Sequence, residues 1–238
     1  MNKNQKNKNF ISCVESRILD FNQIYTRFHI GLFSKEDALN FSNNIRRILL
    51  TSIPGFVLTE INILGAQHHL DNIHGVRENV FDIVENLKKV IFTLETSILN
   101  FCKFSEFQGF ININGPGIVT AADIKISPNI KILNSSQYIA SLSWDAEFIL
   151  NFKIKVVDPI QEKAKQQEPK DQKFFNIENI PQPIKKINYS IHNFAQIPEF
   201  EFIIFEIITD GSIEPKEALQ YSIYKMTKLF YEFSIVSF

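Results

Sequence analysis

A chain of 238 residues holds one large domain or two small ones, and with 45% apolar and 21% charged residues it can bury a real core. A net charge of −1 excludes chain-wide attraction to nucleic acid, and two distant cysteines, Cys13 and Cys102, exclude a disulfide framework or a thiolate zinc site. No apolar run of about 18 residues is present to span a membrane as a helix.

Residues 1–9 are polar, without the apolar core of a signal peptide or the arginines of an import peptide, and a disordered tail is expected over 1–15. Residues 17–32 alternate loosely through Phe21, Ile24, Tyr25, Phe28 and Ile30 and read as strand material. A helix follows over 34–52, capped by Ser34 with Asp37 three residues on, and stopped by Pro54-Gly55. At 100° per residue, Ala38, Phe41, Ile45, Ile48 and Leu49 share a core face. Asn43, Arg47 and Leu50 line an outward strip with Arg46 at its border. An arginine beside an exposed apolar residue suits a protein partner as well as it suits plain solvation.

Residues 56–64 alternate Val57, Thr59, Ile61 and Ile63 on one side of a strand, and 79–93 carry Val80, Ile83, Val84 and Leu87 at helical spacing. A β-rich stretch covers 90–157, broken at Gly115-Pro116-Gly117 and Ser127-Pro128-Asn129. Residues 158–173 are almost wholly charged or polar and are expected to be a mobile loop. Strands at 184–191 and 200–209 lead through Asp210-Gly211 to a last helix with Pro215 in its first turn. There Leu219, Ile223, Met226, Phe230 and Phe233 recur at a/d spacing. The first helix repeats that rhythm, so the two chain ends are expected to meet. Ordinary core stripes explain most of both seams, and a dimer interface explains the aromatic excess of the last helix better.

No constellation for catalysis is found. Gly115-Pro116-Gly117 lacks the lysine of a phosphate loop, and no Gly-x-Ser-x-Gly elbow appears. His68, His69 and His74 cluster near Asp71, but without helical i, i+4 placement or a fourth ligand, so no metal site and no cofactor are expected.

Five blocks then carry a family resemblance. Asn43-Asn-Ile-Arg-Arg-Ile-Leu-Leu-Thr-Ser-Ile-Pro-Gly55 is similar to a family pattern of Asn-Ala-Leu-Arg-Arg-Ile-Leu-Leu-Ser-Ser-Ile-Pro-Gly. Gly75-Val-Arg-Glu-Asn-Val-Phe-Asp-Ile-Val-Glu-Asn-Leu-Lys88, Gly115-Pro-Gly-Ile-Val-Thr-Ala-Ala-Asp123, Pro183-Ile-Lys-Lys-Ile-Asn-Tyr-Ser190 and Glu206-Ile-Ile-Thr-Asp-Gly-Ser-Ile-Glu-Pro-Lys-Glu-Ala-Leu219 follow in order. Together they resemble the amino-terminal region of the bacterial-type RNA polymerase alpha subunit, particularly plastid versions.

The resemblance implies an α+β fold: a dimerisation domain built from both chain ends, over 16–60 and 176–238, with an inserted β-rich domain over 61–175. It implies a non-catalytic subunit that dimerises and then scaffolds the beta and beta-prime subunits, with little or no direct DNA contact and no membrane. Arg47 matches the arginine that meets beta, with Asn43, Arg46 and Leu50 beside it. His68, Asn86 and Lys88 fall near large-subunit contacts, and the 183–189 block with Lys185 and Lys186 faces beta-prime. Ala38, Phe41, Ile45, Ile48, Leu219, Ile223, Met226, Phe230 and Phe233 are the expected dimer interface. A plastid stroma is the expected location, supported by 23 Phe and only 8 Gly, a composition of AT-rich genomes; a bacterial cytoplasm is the alternative.

Three departures stand out. Ser42 replaces a family glycine, the loop at 158–173 replaces an Arg-Gly-Tyr segment, and the chain stops at Phe238 where family members usually continue into a small DNA-binding domain, whose contacts are therefore expected to be absent unless a separate chain supplies them. An archaeal or eukaryotic alpha-like subunit is the alternative within the class. A small-molecule-binding α+β regulatory dimer is the alternative outside it.

Overall fold

The computed structural model describes residues 10–19, 22–68, 70–94, 106–159, 175–177, 179–194 and 199–235. In chain order, β1 (Phe10–Ile18), β2 (Ile24–Ser34) and α1 (Asp37–Thr51) come first. Then follow β3 (Gly55–Ile63), α2 (Val80–Lys88), β4 (Phe92–Leu94), β5 (Glu106–Asn114), β6 (Gly117–Thr120), β7 (Lys125–Ile126) and β8 (Ile130–Ile132). Next are β9 (Tyr138–Leu142), β10 (Glu147–Val157), β11 (Phe175–Asn176), β12 (Ile184–Asn193), β13 (Phe200–Thr209) and α3 (Pro215–Ser234). The chain divides into two compact units, one formed by Met1–Ile53 with Gln182–Phe238, the other by Pro54–Pro181. By compactness the second unit takes in β3, which pairs with β10 and β11. The expected loop at 158–173 lies almost wholly outside the described residues.

In the first unit an antiparallel sheet runs in the order β1-β2-β13-β12. Its centre joins the two chain ends, with Phe28 opposite Phe205 and Arg27 opposite Glu206. Along β13 the apolar residues alternate, so Ile203, Phe205 and Ile207 are fully buried on one face while Ile204, Glu206 and Ile208 stay partly open. Both α1 and α3 contact β2 and β13, and α1 also reaches β12. Of the tail expected to be disordered over 1–15, residues 10–15 belong to β1, where pairing with β2 satisfies the backbone on one edge, and residues 1–9 lie outside the described residues.

α1 buries Ala38, Ser42, Ile45 and Leu49, a stripe at i, i+4, i+7 and i+11. Ser34 does not cap it. The residue before the helix is Glu36 at φ 79°, and the Ser34 hydroxyl instead donates to the Asp37 carboxylate. Ser42 is fully buried and donates to the Ala38 carbonyl at 2.7 Å. A serine is therefore accommodated inside this helix, because its hydroxyl bonds back one turn. Ser222 does the same in α3, reaching the Ala218 carbonyl at 2.6 Å. Lys225 donates to the Ser52 carbonyl at 3.4 Å, tying α3 to the end of α1.

The second unit has a five-stranded sheet, β11-β3-β10-β5-β7, and two small pairs, β4-β8 and β6-β9. α2 packs against β3 and β9, burying Val80, Ile83, Val84 and Leu87 in a core with Phe148, Leu150, Phe152 and Ile154. The expected alternation of β3 fails at Thr59. The register against β10 slips there, Lys153 facing Glu60 and Ile154 facing Leu58. A bulge reverses the side-chain parity, so Leu58 joins Ile61 and Ile63 in that core while Val57 lies outside it. Gly115 allows the loop before β6 to close, since a Cβ there would sit 1.9 Å from the Ser143 carbonyl oxygen.

Candidate docking surfaces

The outward strip of α1 is exposed along its length. Asn43, Arg46, Arg47 and Leu50 all face solvent, Leu50 at 50% exposure. Among the described residues, neither arginine side chain enters an ion pair or hydrogen bond. Two cationic forks beside an uncovered leucine form a surface suited to a carboxylate-bearing, partly apolar protein partner. Asn43 differs from its neighbours: its Oδ1 accepts a hydrogen bond from the Tyr189 hydroxyl of β12 at 2.7 Å. The Tyr189 ring stacks on buried Phe205, with centroids 5.6 Å apart and planes 25° apart. Lys185 and Lys186 are exposed at the start of β12, where the register against β13 slips.

The residues expected at a dimer interface separate into two groups. Ala38 and Ile45 are at 0% exposure and Leu219 at 2%, inside this chain's own core, so they offer no surface to a second copy. Phe41 and Ile48 are partly exposed, Phe41 lying against Phe33 with ring centroids 5.0 Å apart. Ile223 and Met226 are partly exposed and Phe230 is 60% exposed, while the Phe233 side chain lies outside the described residues. The sequence reading missed Tyr224, Leu229 and Tyr231, which are exposed on the same helix. Their signal was the density of aromatic and apolar residues on every side of the second half of α3, beyond what one seam explains.

In the second unit, α2 starts at Asn79, whose side chain accepts from the Asp82 N–H at 2.8 Å. Asn86 is partly buried and donates to the Ile139 carbonyl at 3.1 Å, which holds α2 against β9. Lys88 is paired with Glu85 at 2.7 Å. His68 is exposed and meets Asp71 at 2.7 Å. The Asp71 carboxylate also accepts the Gln67 and His68 N–H groups at 2.6 and 2.9 Å. Those backbone donors, more than the imidazole, hold its carboxyl below the usual 3.8. Among the described residues no three His, Cys, Asp or Glu side chains gather as a metal site. No described helix is long and apolar enough to cross a membrane.

An ionic network crosses the open side of the first unit's sheet. Tyr25 donates to Glu206 at 2.8 Å, and Arg27 lies 3.4 Å from both Glu15 and Glu206. The tyrosine hydrogen bond, then one from Asn188 and the Arg27 guanidinium, keep the Glu206 carboxyl below the usual 4.5, while burial and that carboxylate push the Tyr25 phenol up.

Residues 60–180 match the family model described as the RNA polymerase Rpb3/RpoA insert domain. The chain is 34% identical to the DNA-directed RNA polymerase subunit alpha of Chlorella vulgaris, covering 96% of both chains. It is 36% identical to the protein of that name from Chaetosphaeridium globosum over 92% of this chain and 63% of that one. Against the Marchantia polymorpha protein of that name it is also 36% identical, over 87% of this chain and 58% of that one. The chain thus spans nearly all of the first relative and less than two thirds of the other two.

Proposed function

Because this chain belongs to the DNA-directed RNA polymerase alpha-subunit family, we propose that it acts as the assembly scaffold of a plastid polymerase, pairing with a second copy and presenting α1 to a beta-type large subunit. The carrying observation is the exposed strip Arg46, Arg47 and Leu50, which no other part of the described chain covers. A half-exposed leucine beside two guanidinium groups that pair with nothing among the described residues supports a docking role for this strip. Family membership displaces the small-molecule regulatory reading, and the algal and plant relatives favour a plastid over a bacterial cytoplasm. Its place there is the stroma.

The exposed residues Tyr224, Leu229, Phe230 and Tyr231 of α3, with Ile223, Met226, Phe41 and Ile48, support pairing with a second copy. Lys185 and Lys186 on β12 are assigned to the beta-prime side. His68 is assigned to large-subunit contact within the second unit. Asn86 and Lys88, already bonded within the chain, contribute there by shaping α2.

Arg47→Ala should leave the dimer intact and weaken capture of a purified beta-type subunit by about 2–4 kcal/mol, the range for a desolvated arginine anchor. Unchanged binding in a titration would remove the docking assignment. Phe230→Asp should give monomers in sedimentation; a dimer of normal affinity would remove the pairing assignment.

A further inference from the structure

We propose that Tyr189 is a positioning residue for the docking strip, and that Asn43 serves as its acceptor rather than as a contact to the partner. This inference rests on the reading of Arg47 as a dock.

α1 is held to its own unit by Ala38, Ser42, Ile45 and Leu49 on the inner side. Apolar packing of that kind fixes how far the helix lies from the sheet, but it resists rotation about the helix axis only through side-chain shape. The Tyr189–Asn43 bond acts on the flank, at 2.7 Å, and links positions 146 residues apart in sequence. Its strand end is rigid, because the tyrosine ring stacks on fully buried Phe205 in the centre of the sheet. A Tyr hydroxyl on a stacked ring has no freedom to follow a helix that turns, so the bond constrains the helix rotation.

Arg47 stands one turn beyond Asn43 on the same side. With side chains reaching about 5–6 Å or more from the helix axis, a rotation of roughly 10° displaces a guanidinium by about 1 Å. Forked, two-bond recognition of a carboxylate tolerates little of that. The hydrogen bond therefore presents Arg47 in one orientation before the partner arrives, and that ordering is not charged against binding.

The test is a double-mutant cycle on the full chain, titrated with a purified beta-type subunit well below the melting temperature. Tyr189→Phe keeps the stacked ring and removes only the donor, and Asn43→Ala removes the acceptor together with the rest of the carboxamide. Each should weaken capture about three- to tenfold, as expected for one hydrogen bond. The pair together should weaken it no more than either alone. In an Arg47→Ala background, Tyr189→Phe should have no further effect, because the group it orients is gone.

Equal losses from Tyr189→Phe with and without Arg47 would overturn the proposal, as would normal capture by Tyr189→Phe when Arg47→Ala is defective. Normal capture by Arg47→Ala itself would instead bring down the docking reading on which the proposal stands.

Discussion

At the scale of single residues, Ser42 shows how a small polar group is used inside a packed helix. Its hydroxyl is fully buried yet bonded to the Ala38 carbonyl, so the site carries no unsatisfied donor. Leucine there should lower stability by about 1–3 kcal/mol through overpacking, read from chemical denaturation. Gly115 is less forgiving still: Gly115→Ala puts a methyl group on the Ser143 carbonyl oxygen and should lower the melting temperature measurably. Glu206 controls a pH response. Its carboxyl titrates lower folded than unfolded, so its stabilisation is complete above the usual 4.5 and fades as pH falls below it. Asp210 has the opposite sign, because burial raises its carboxyl, and its effect is common to wild type and variant. Glu206→Gln should therefore flatten the acid limb relative to wild type in unfolding experiments run at descending pH. An identical acid limb would show that the network contributes nothing to folding.

At the scale of elements, α1 is a two-sided device and adjacent residues test its sides. Leu49 is 1% exposed and Leu50 50%. Leu49→Ala should cost about 2–5 kcal/mol in denaturant unfolding, while Leu50→Ala should stay within about 0.5 kcal/mol and act only on partner binding. Much of this was legible in the sequence, because a 3.6-residue period assigns each position to a side before any partner is known. α3 was legible for the same reason, and so was β13 from its strong run of apolar and β-branched residues. The bulge at Thr59 was not, since a reversal of parity is set by the register of β10, nearly 100 residues away in sequence. Nor was the helix start at Asp37, where a positive φ at Glu36 displaced the cap expected at Ser34. The apolar seams were read correctly as apolar but not as to what fills them. A heptad pattern does not say whether the covering surface belongs to this chain or to another, and Ala38, Ile45 and Leu219 are buried within this chain. The Tyr189–Asn43 contact left no periodic signal at all.

At the scale of the whole molecule, each unit has its own sheet and its own apolar core, and the second is made from one continuous stretch. A fragment covering Pro54–Pro181 should fold by itself and unfold in a single cooperative transition, monitored by circular dichroism. A fragment that stays unfolded would mean that its core depends on the other unit. The first unit is discontinuous, because its central pair, β2 and β13, comes from its two separate segments.

That pairing has a consequence for synthesis on the ribosome. Ser34 ends β2 and Phe200 begins β13, so the first unit's nascent strands wait while the intervening chain is translated. At typical elongation rates the wait is roughly 10–30 s. During that interval β2 exposes Tyr25, Phe28 and Ile30, which are buried once the unit is folded, and the edge later taken by β13. The insert has time to fold before its host can. The emerging amino-terminal hairpin is thus a natural client for a chaperone, and its protection ends only when the last strand leaves the tunnel.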